Sequence, residues 1–295
     1  MNRLIVILCL VILSVQAKSP YEIIDNSPDS AWRDLNSEQT LYITLEAGVV
    51  VVELAPQFAP NHVDNTKKLV REGVFDNTSF YRVVEGFVAQ GGPADPEKIA
   101  KPKVGKLTIP AEFTIKPKKP LDFTPIGLAD GYAPQTGFVG GFAAAFDKSN
   151  GEYWMTHCYG TLAMGRGNSA DSGGTELYIV IGSAQRYLDK NTTVFGRVIT
   201  GMEHIQHLQR SSNLKGAVDM KGKNKILSIK VASDLKPKER IALQTMKTNS
   251  QSFKDIIESR KNRNGEWFLY QHNYIDVCSV AVPVRLKDVK VKSFN

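Results

Sequence analysis

In the run SFYRVVEGFVAQGG, residues 79–92, one arginine, Arg82, stands among aromatic and branched apolar residues. A guanidinium is costly to take out of water unless a partner or a reaction uses it, so its position marks a candidate chemical group. Gln90 ends the same run as a neutral hydrogen-bonding side chain, and Phe87 lies between the two. Other constellations carry less. His204 and His207 supply two imidazoles three residues apart but not the remaining ligands of a zinc site, so no metal is expected. GRGNSADSGG, from residue 165, lacks the Gly-Lys-Ser/Thr ending of a phosphate loop and runs into a strand-like segment.

The elements that must position these groups are mostly short strands. LYITLEAGVVVVELA places Leu41, Ile43 and Leu45 on one face and Tyr42, Thr44 and Glu46 on the other, then turns at Ala47-Gly48, which predicts a hairpin. The period changes after Pro60: Val63, Thr66, Leu69 and Val70 share a helical stripe that stops at Gly73. Further strands are expected over Phe80–Val88, Leu162–Met164, Glu176–Ile181, Val194–Val198 and Ile226–Val231, with a second helix at MEHIQHLQR. Many short strands and two helices predict a mainly β fold, a closed antiparallel barrel capped at its ends. The expected divisions are a leader at 1–17, an exposed lead-in at 18–39, the barrel domain at 40–235 and an extension at 236–295. The barrel domain carries a long inserted loop of about 93–155, rich in Pro, Gly and Lys and too long for an ordinary connector, which reads as a decorated loop or part of a binding surface. The extension reads as a helix and then strands, a small α+β unit.

The first residues have the make-up of a cleaved secretory leader: Arg3, an apolar core from Leu4 to Val15, and a small-residue exit near Ala17. That core is shorter than the roughly 20 residues of a membrane span. An exported, periplasmic protein with no stable membrane insertion after cleavage is expected, with secretion or an uncleaved anchor as alternatives. The chain has a net charge of +7, spread through clusters such as KPKVGK and IKPKKP without interleaved aromatics. These read as solvated loops and not as a nucleic-acid surface. Beyond the leader stand two cysteines, Cys158 and Cys278, which could form one bridge or remain buried thiols.

Three stretches together resemble the cyclophilin family of peptidyl-prolyl isomerases: FYRVVEGFVAQGG, YGTLAMGRGNSADSGGTELYIVIG and YLDKNTTVFGRVITGMEHI. The likeness runs from about Leu41 to Asp234 and points to a divergent exported bacterial branch with a long insertion and a C-terminal extension. It implies that Arg82 is the catalytic arginine, Phe87 the floor of a proline pocket and Gln90 the brace beside the arginine. Val88 stands where the family has a pocket methionine, Glu176 where it has a glutamine, and Tyr178 where it has a pocket phenylalanine. Tyr187 and Leu188 replace a Trp-Leu pair, and Thr192 replaces a histidine. Gly165 and Arg166 fall where substrate backbone is paired, and His157 matches a framework histidine.

The implied chemistry needs no cofactor. Resonance blocks peptide rotation with a barrier of ~18–20 kcal/mol, and X–Pro isomers exchange over tens of seconds or more. An apolar pocket of Phe87, Val88, Tyr178 and Leu188 would hold the proline ring. The Arg82 guanidinium would bond the nitrogen lone pair only when resonance is broken, which favours the twisted state over the ground state. The partners implied are proline-containing segments of unfolded or exported proteins. Glu176 is expected to pair directly with Arg82 and so to weaken its field at the prolyl nitrogen. The alternative function is therefore a weakly catalytic or inactive binding module for such segments.

Overall fold

The structure is a computed structural model that describes residues 18–93, 102–127, 129–212, 223–263 and 267–287. The leader lies outside these residues. After a short helix α1 (Pro20–Asp25) and strand β1 (Trp32–Asp34), the barrel begins with β2 (Thr40–Leu45) and β3 (Gly48–Leu54). Helix α2 (Pro60–Arg71), β4 (Thr78–Val83) and β5 (Val88–Gly92) follow. The insertion contributes β6 (Phe123–Pro125), β7 (Gln135–Val139), β8 (Phe142–Asp147) and β9 (Glu152–Met155). The barrel resumes with β10 (Thr161–Met164), β11 (Leu177–Val180), β12 (Val194–Thr200), helix α3 (Met202–Gln206) and β13 (Lys225–Val231). The extension adds β14 (Leu243–Met246), helix α4 (Gln251–Lys261) and β15 (Val284–Leu286).

Eight antiparallel strands close in the order β10-β11-β5-β4-β13-β2-β3-β12. The expected mainly β barrel with two capping helices is thus present. The first hairpin pairs Thr40 with Glu53 and Leu45 with Gly48, so Leu41, Ile43 and Leu45 all enter the barrel core. Gly48 has φ +147°, and a Cβ there would sit 2.3 Å from the ring of His204. His204 therefore packs against the hairpin turn. On α2, Val63, Thr66, Leu69 and Val70 are all buried, as their spacing predicts.

Several sequence expectations are corrected. Phe80–Val88 is not one strand: the chain turns between β4 and β5, with Gly86 at φ +69° and the Val84 N–H donating to the Val88 carbonyl. The insertion is not an open loop, because β6-β7-β8-β9 form a four-stranded sheet. Its central hairpin turns at Gly140-Gly141, with φ of +58° and +100°, a two-residue turn that only glycine makes without strain. The sheet's apolar residues, including Phe142, Tyr153 and Met155, share a core cluster with Val88 and Tyr178 of the barrel wall.

The lead-in is not simply exposed, nor does the extension read helix first. Strand β1 pairs with β14, and β14 with β15, in a three-stranded sheet, and the strand β14 precedes α4. Trp32 is buried with Met246, Phe253 and Ile256 in one cluster. Glu53 on the outer face of β3 is buried between Arg33, at 2.6 Å, and Arg197, at 3.2 Å, which fixes β1 to the barrel. Cys158 and Cys278 form a disulfide that closes a separation of 120 residues and ties the extension to the segment before β10.

A cross-link over so long a loop removes much of the unfolded chain's freedom. The variant Cys278→Ser is expected to lose about 2–4 kcal/mol of stability, read as a lower denaturant midpoint under oxidising conditions. An unchanged midpoint would show that the bridge contributes nothing to the fold.

Candidate active site

The position of Arg82 is set by strand register. The pairing of β4 with β5 runs Ser79 to Gly92 and then Arg82 to Gln90, so one extra residue on β4 is taken up between them. Such a bulge re-aims side chains. Gln90 in turn lies opposite Tyr178 on β11. Arg82, Gln90 and Tyr178 therefore form one cross-strand row on a single face of the wall. The neighbouring row of Val83, Ala89 and Ile179 points the other way, into the barrel core.

Above this row lies a cavity of about 260 Å³, lined by Arg82, Phe87, Val88, Gln90, Gly165, Arg166, Tyr178, Leu188 and Thr192. Nine of the eleven residues expected at the site from sequence meet here. The guanidinium carbon of Arg82 lies 5.7 Å from the centre of the Phe87 ring. Val88 and Tyr178 are buried at the cavity wall, and Leu188 is half-buried. Tyr187 is 59 % exposed and does not line the cavity, so it acts at most at the rim.

Glu176 stands behind the row. The Arg82 Nη1 group donates to Gln90 Oε1 at 3.1 Å, Gln90 Nε2 donates to the Tyr81 hydroxyl at 2.9 Å, and that hydroxyl donates to Glu176 Oε2 at 2.5 Å. Burial, then the Glu176 charge, holds the Tyr81 phenol well above its ordinary pKa, so it remains a donor to the carboxylate. Among the described bonds, Arg82 is linked to Glu176 through this chain of four, and both residues also hold further partners. Tyr81 was missed in the sequence because alternation along β4 sets it on the face opposite Arg82; the bulge removes that separation.

A second polar chain supports the far wall. His157 is fully buried, with Nδ1 2.9 Å from Asp189 Oδ1 and Nε2 within 3.0 Å of both the Tyr178 hydroxyl and Thr192 Oγ1. Tyr178 and Thr192 also bond each other. Burial raises the Tyr178 pKa and keeps the phenol neutral. Asp189 pairs with Arg186 at 2.6 Å, and Arg186 reaches Asp130 of the insertion at 2.5 Å. Burial opposes the Arg186 charge, but Asp189 and Asp130 outweigh it and raise its pKa. His157 thus belongs to the framework, as expected. The part played by Asp130 and Arg186 was not legible, because it needs the insertion to fold against the barrel.

Gly165 and Arg166 line the cavity, yet their donors are used within the protein. The Gly165 N–H bonds the Glu176 carbonyl at 2.6 Å, and Arg166 donates to the carbonyls of Asn191 and Gly167, each at 2.8 Å. Gly165 is closely packed, since a Cβ there would crowd Gln90 Nε2 and Glu176 Cβ, each at 3.1 Å. Among the described residues no group of three or more His, Cys, Asp or Glu side chains is placed to hold a metal ion.

Comparison with known proteins agrees with this geometry. The family model described as cyclophilin type peptidyl-prolyl cis-trans isomerase/CLD matches residues 40–231. A probable peptidyl-prolyl cis-trans isomerase of Brucella suis is 29% identical over 200 residues, which is 68% of this chain and 85% of that protein. Peptidyl-prolyl cis-trans isomerase B of Bacillus subtilis is 29% identical over 178 residues, or 60% of this chain and 95% of its own. The crystal structure of a cyclophilin from Hirschia baltica is 28% identical with a TM-score of 0.69, covering 87% of this chain and 94% of that one.

Two substitutions separate the relay from a direct ion pair. Tyr81→Phe removes the hydroxyl that orients Gln90 and should lower kcat/KM for an X–Pro peptide by about fivefold, one hydrogen bond of ~1 kcal/mol. Glu176→Gln leaves an acceptor for Tyr81 and should change kcat/KM by less than about threefold. A large gain in the second variant would instead favour a direct Glu176–Arg82 ion pair in the parent.

Proposed function

The chain belongs to the cyclophilin-type family of peptidyl-prolyl cis-trans isomerases, and on that premise we propose that it is exported and speeds X–Pro rotation in extended or unfolded protein segments. The observation that carries the reading is the cross-strand row, which sets a braced guanidinium at the wall of a cavity beside Phe87 and Val88. The cavity receives the proline ring, and Phe87 packs against it. Arg82 stands at the edge where the prolyl nitrogen falls. As the carbonyl before proline swings out of plane, the nitrogen becomes pyramidal and gains a lone pair, and the guanidinium donates to it. This bond exists only in the twisted state, so it lowers the barrier without tightening the ground state.

Gln90 suits the bracing role because it is neutral. It accepts one of the five guanidinium donors without cancelling the charge, and through Tyr81 it links the guanidinium to the carboxylate of Glu176. The step breaks no covalent bond and moves no electron, so the protein's own residues suffice for it. Export is supported by the leader-like first 17 residues and by the disulfide, a bond that persists in oxidising compartments. A Gram-negative periplasm fits both.

The test compares the parent with Arg82→Ala in cis/trans exchange of an X–Pro peptide. The parent should accelerate exchange, and the variant should lose about a hundredfold of that rate with its unfolding midpoint unchanged. Peptide binding in the cavity without acceleration by the parent would instead favour a binding module.

A further inference from the structure

The segment after α4 presents its apolar side chains outward. Trp267 is 83 % exposed, Leu269 98 % and Tyr270 72 %, in irregular chain with no strand edge between them. Exposed apolar residues scattered singly are ordinary, but a contiguous group is not, because it gains stability only when something covers it. Basic groups surround this one. Arg260 and Lys261 end α4, and the guanidinium of Arg263 lies over the Phe268 ring at 5.3 Å. The proline cavity shares none of these residues.

We propose that this aromatic and basic patch docks the protein peripherally on an anionic lipid bilayer. Tryptophan and tyrosine favour the bilayer interface, where a flat ring meets both hydrocarbon and water. Leu269, almost wholly exposed, projects as an insertion wedge. The exposed Arg263 at its base complements acidic headgroups, with Lys261, which also pairs with Glu258 at 3.3 Å, beside it; such attraction is screened by salt. The same side chains border an open, shallow groove, but a polypeptide client fits less well, because the segment is irregular chain and offers no strand edge for a peptide to extend. Among the described residues no helix is long and apolar enough to cross a membrane, so the association is at the surface. Docking there would hold an exported isomerase beside chains emerging from the membrane.

The protein carries its own reporter. Of its three tryptophans, Trp32 and Trp154 are buried and Trp267 is exposed, so a change in emission on binding follows Trp267. The full chain without its leader is titrated with vesicles of phosphatidylglycerol and phosphatidylethanolamine, and separately with phosphatidylcholine vesicles. Emission should move to shorter wavelength and the protein should sediment with the anionic vesicles only. Leu269→Asp and the pair Lys261→Glu with Arg263→Glu should each weaken partitioning by more than ~tenfold, with X–Pro exchange rates unchanged. Equal binding to both vesicle types, no emission change with either, or unaltered partitioning of Leu269→Asp would overturn the proposal. So would an emission change that appears with a reduced, unfolded polypeptide but not with lipid. The lipid measurement uses no proline substrate, so its failure is separable from failure of the isomerase reading.

Discussion

A guanidinium at the wall of a largely apolar cavity must be held by acceptors that do not neutralise it. The hydrogen bond from Arg82 to Gln90 meets that constraint, and the architecture around it serves to keep it in place. The bulge in β4 brings Arg82 opposite Gln90, and β11 brings Tyr178 opposite Gln90 on the other side. The Tyr81 hydroxyl then takes the amide end of Gln90, so that its carbonyl end faces Arg82. A carboxylate placed directly on the arginine would bind more strongly, and would compete with the weak, transient base that a twisted prolyl nitrogen becomes.

The two walls of the cavity are supported differently. On the arginine side the support is local, from adjacent strands. On the Tyr178 side it is long-range: Thr192 and His157, then Asp189, Arg186 and finally Asp130 of the insertion. Each charged member of this chain has an opposite partner, which is the condition under which buried charges are tolerated. The disulfide begins one residue from His157 and leads to the extension. Insertion and extension therefore bear on the same wall of the barrel, and the likeness to the Hirschia baltica cyclophilin reaches beyond the barrel into them.

Much of this was legible in the sequence where the signal is periodic or local. The alternation of Leu41, Ile43 and Leu45, the stripe of α2, and the motif around Arg82 all predict what is found, and nine proposed site residues meet in one cavity. What was not legible depends on register or on distant packing. A single added residue in β4 changes which face Tyr81 serves, and alternation alone sets it opposite Arg82. The insertion was read as a loop because proline and lysine dominate its composition, although Gly140-Gly141 between FV and FAAAF is a hairpin signal in plain view. The lead-in looks polar, but Trp32 is covered by residues more than two hundred positions later, and no local pattern announces that.

The most direct test of the central claim is a crystal structure of the protein with an Ala-Pro-containing peptide. The account predicts the proline ring seated in the cavity against Phe87, with an Arg82 nitrogen within hydrogen-bonding reach of the prolyl nitrogen, roughly 3 Å, and the Arg82–Gln90 bond intact. A proline bound elsewhere, or Arg82 drawn away from the cavity onto Glu176, would contradict it.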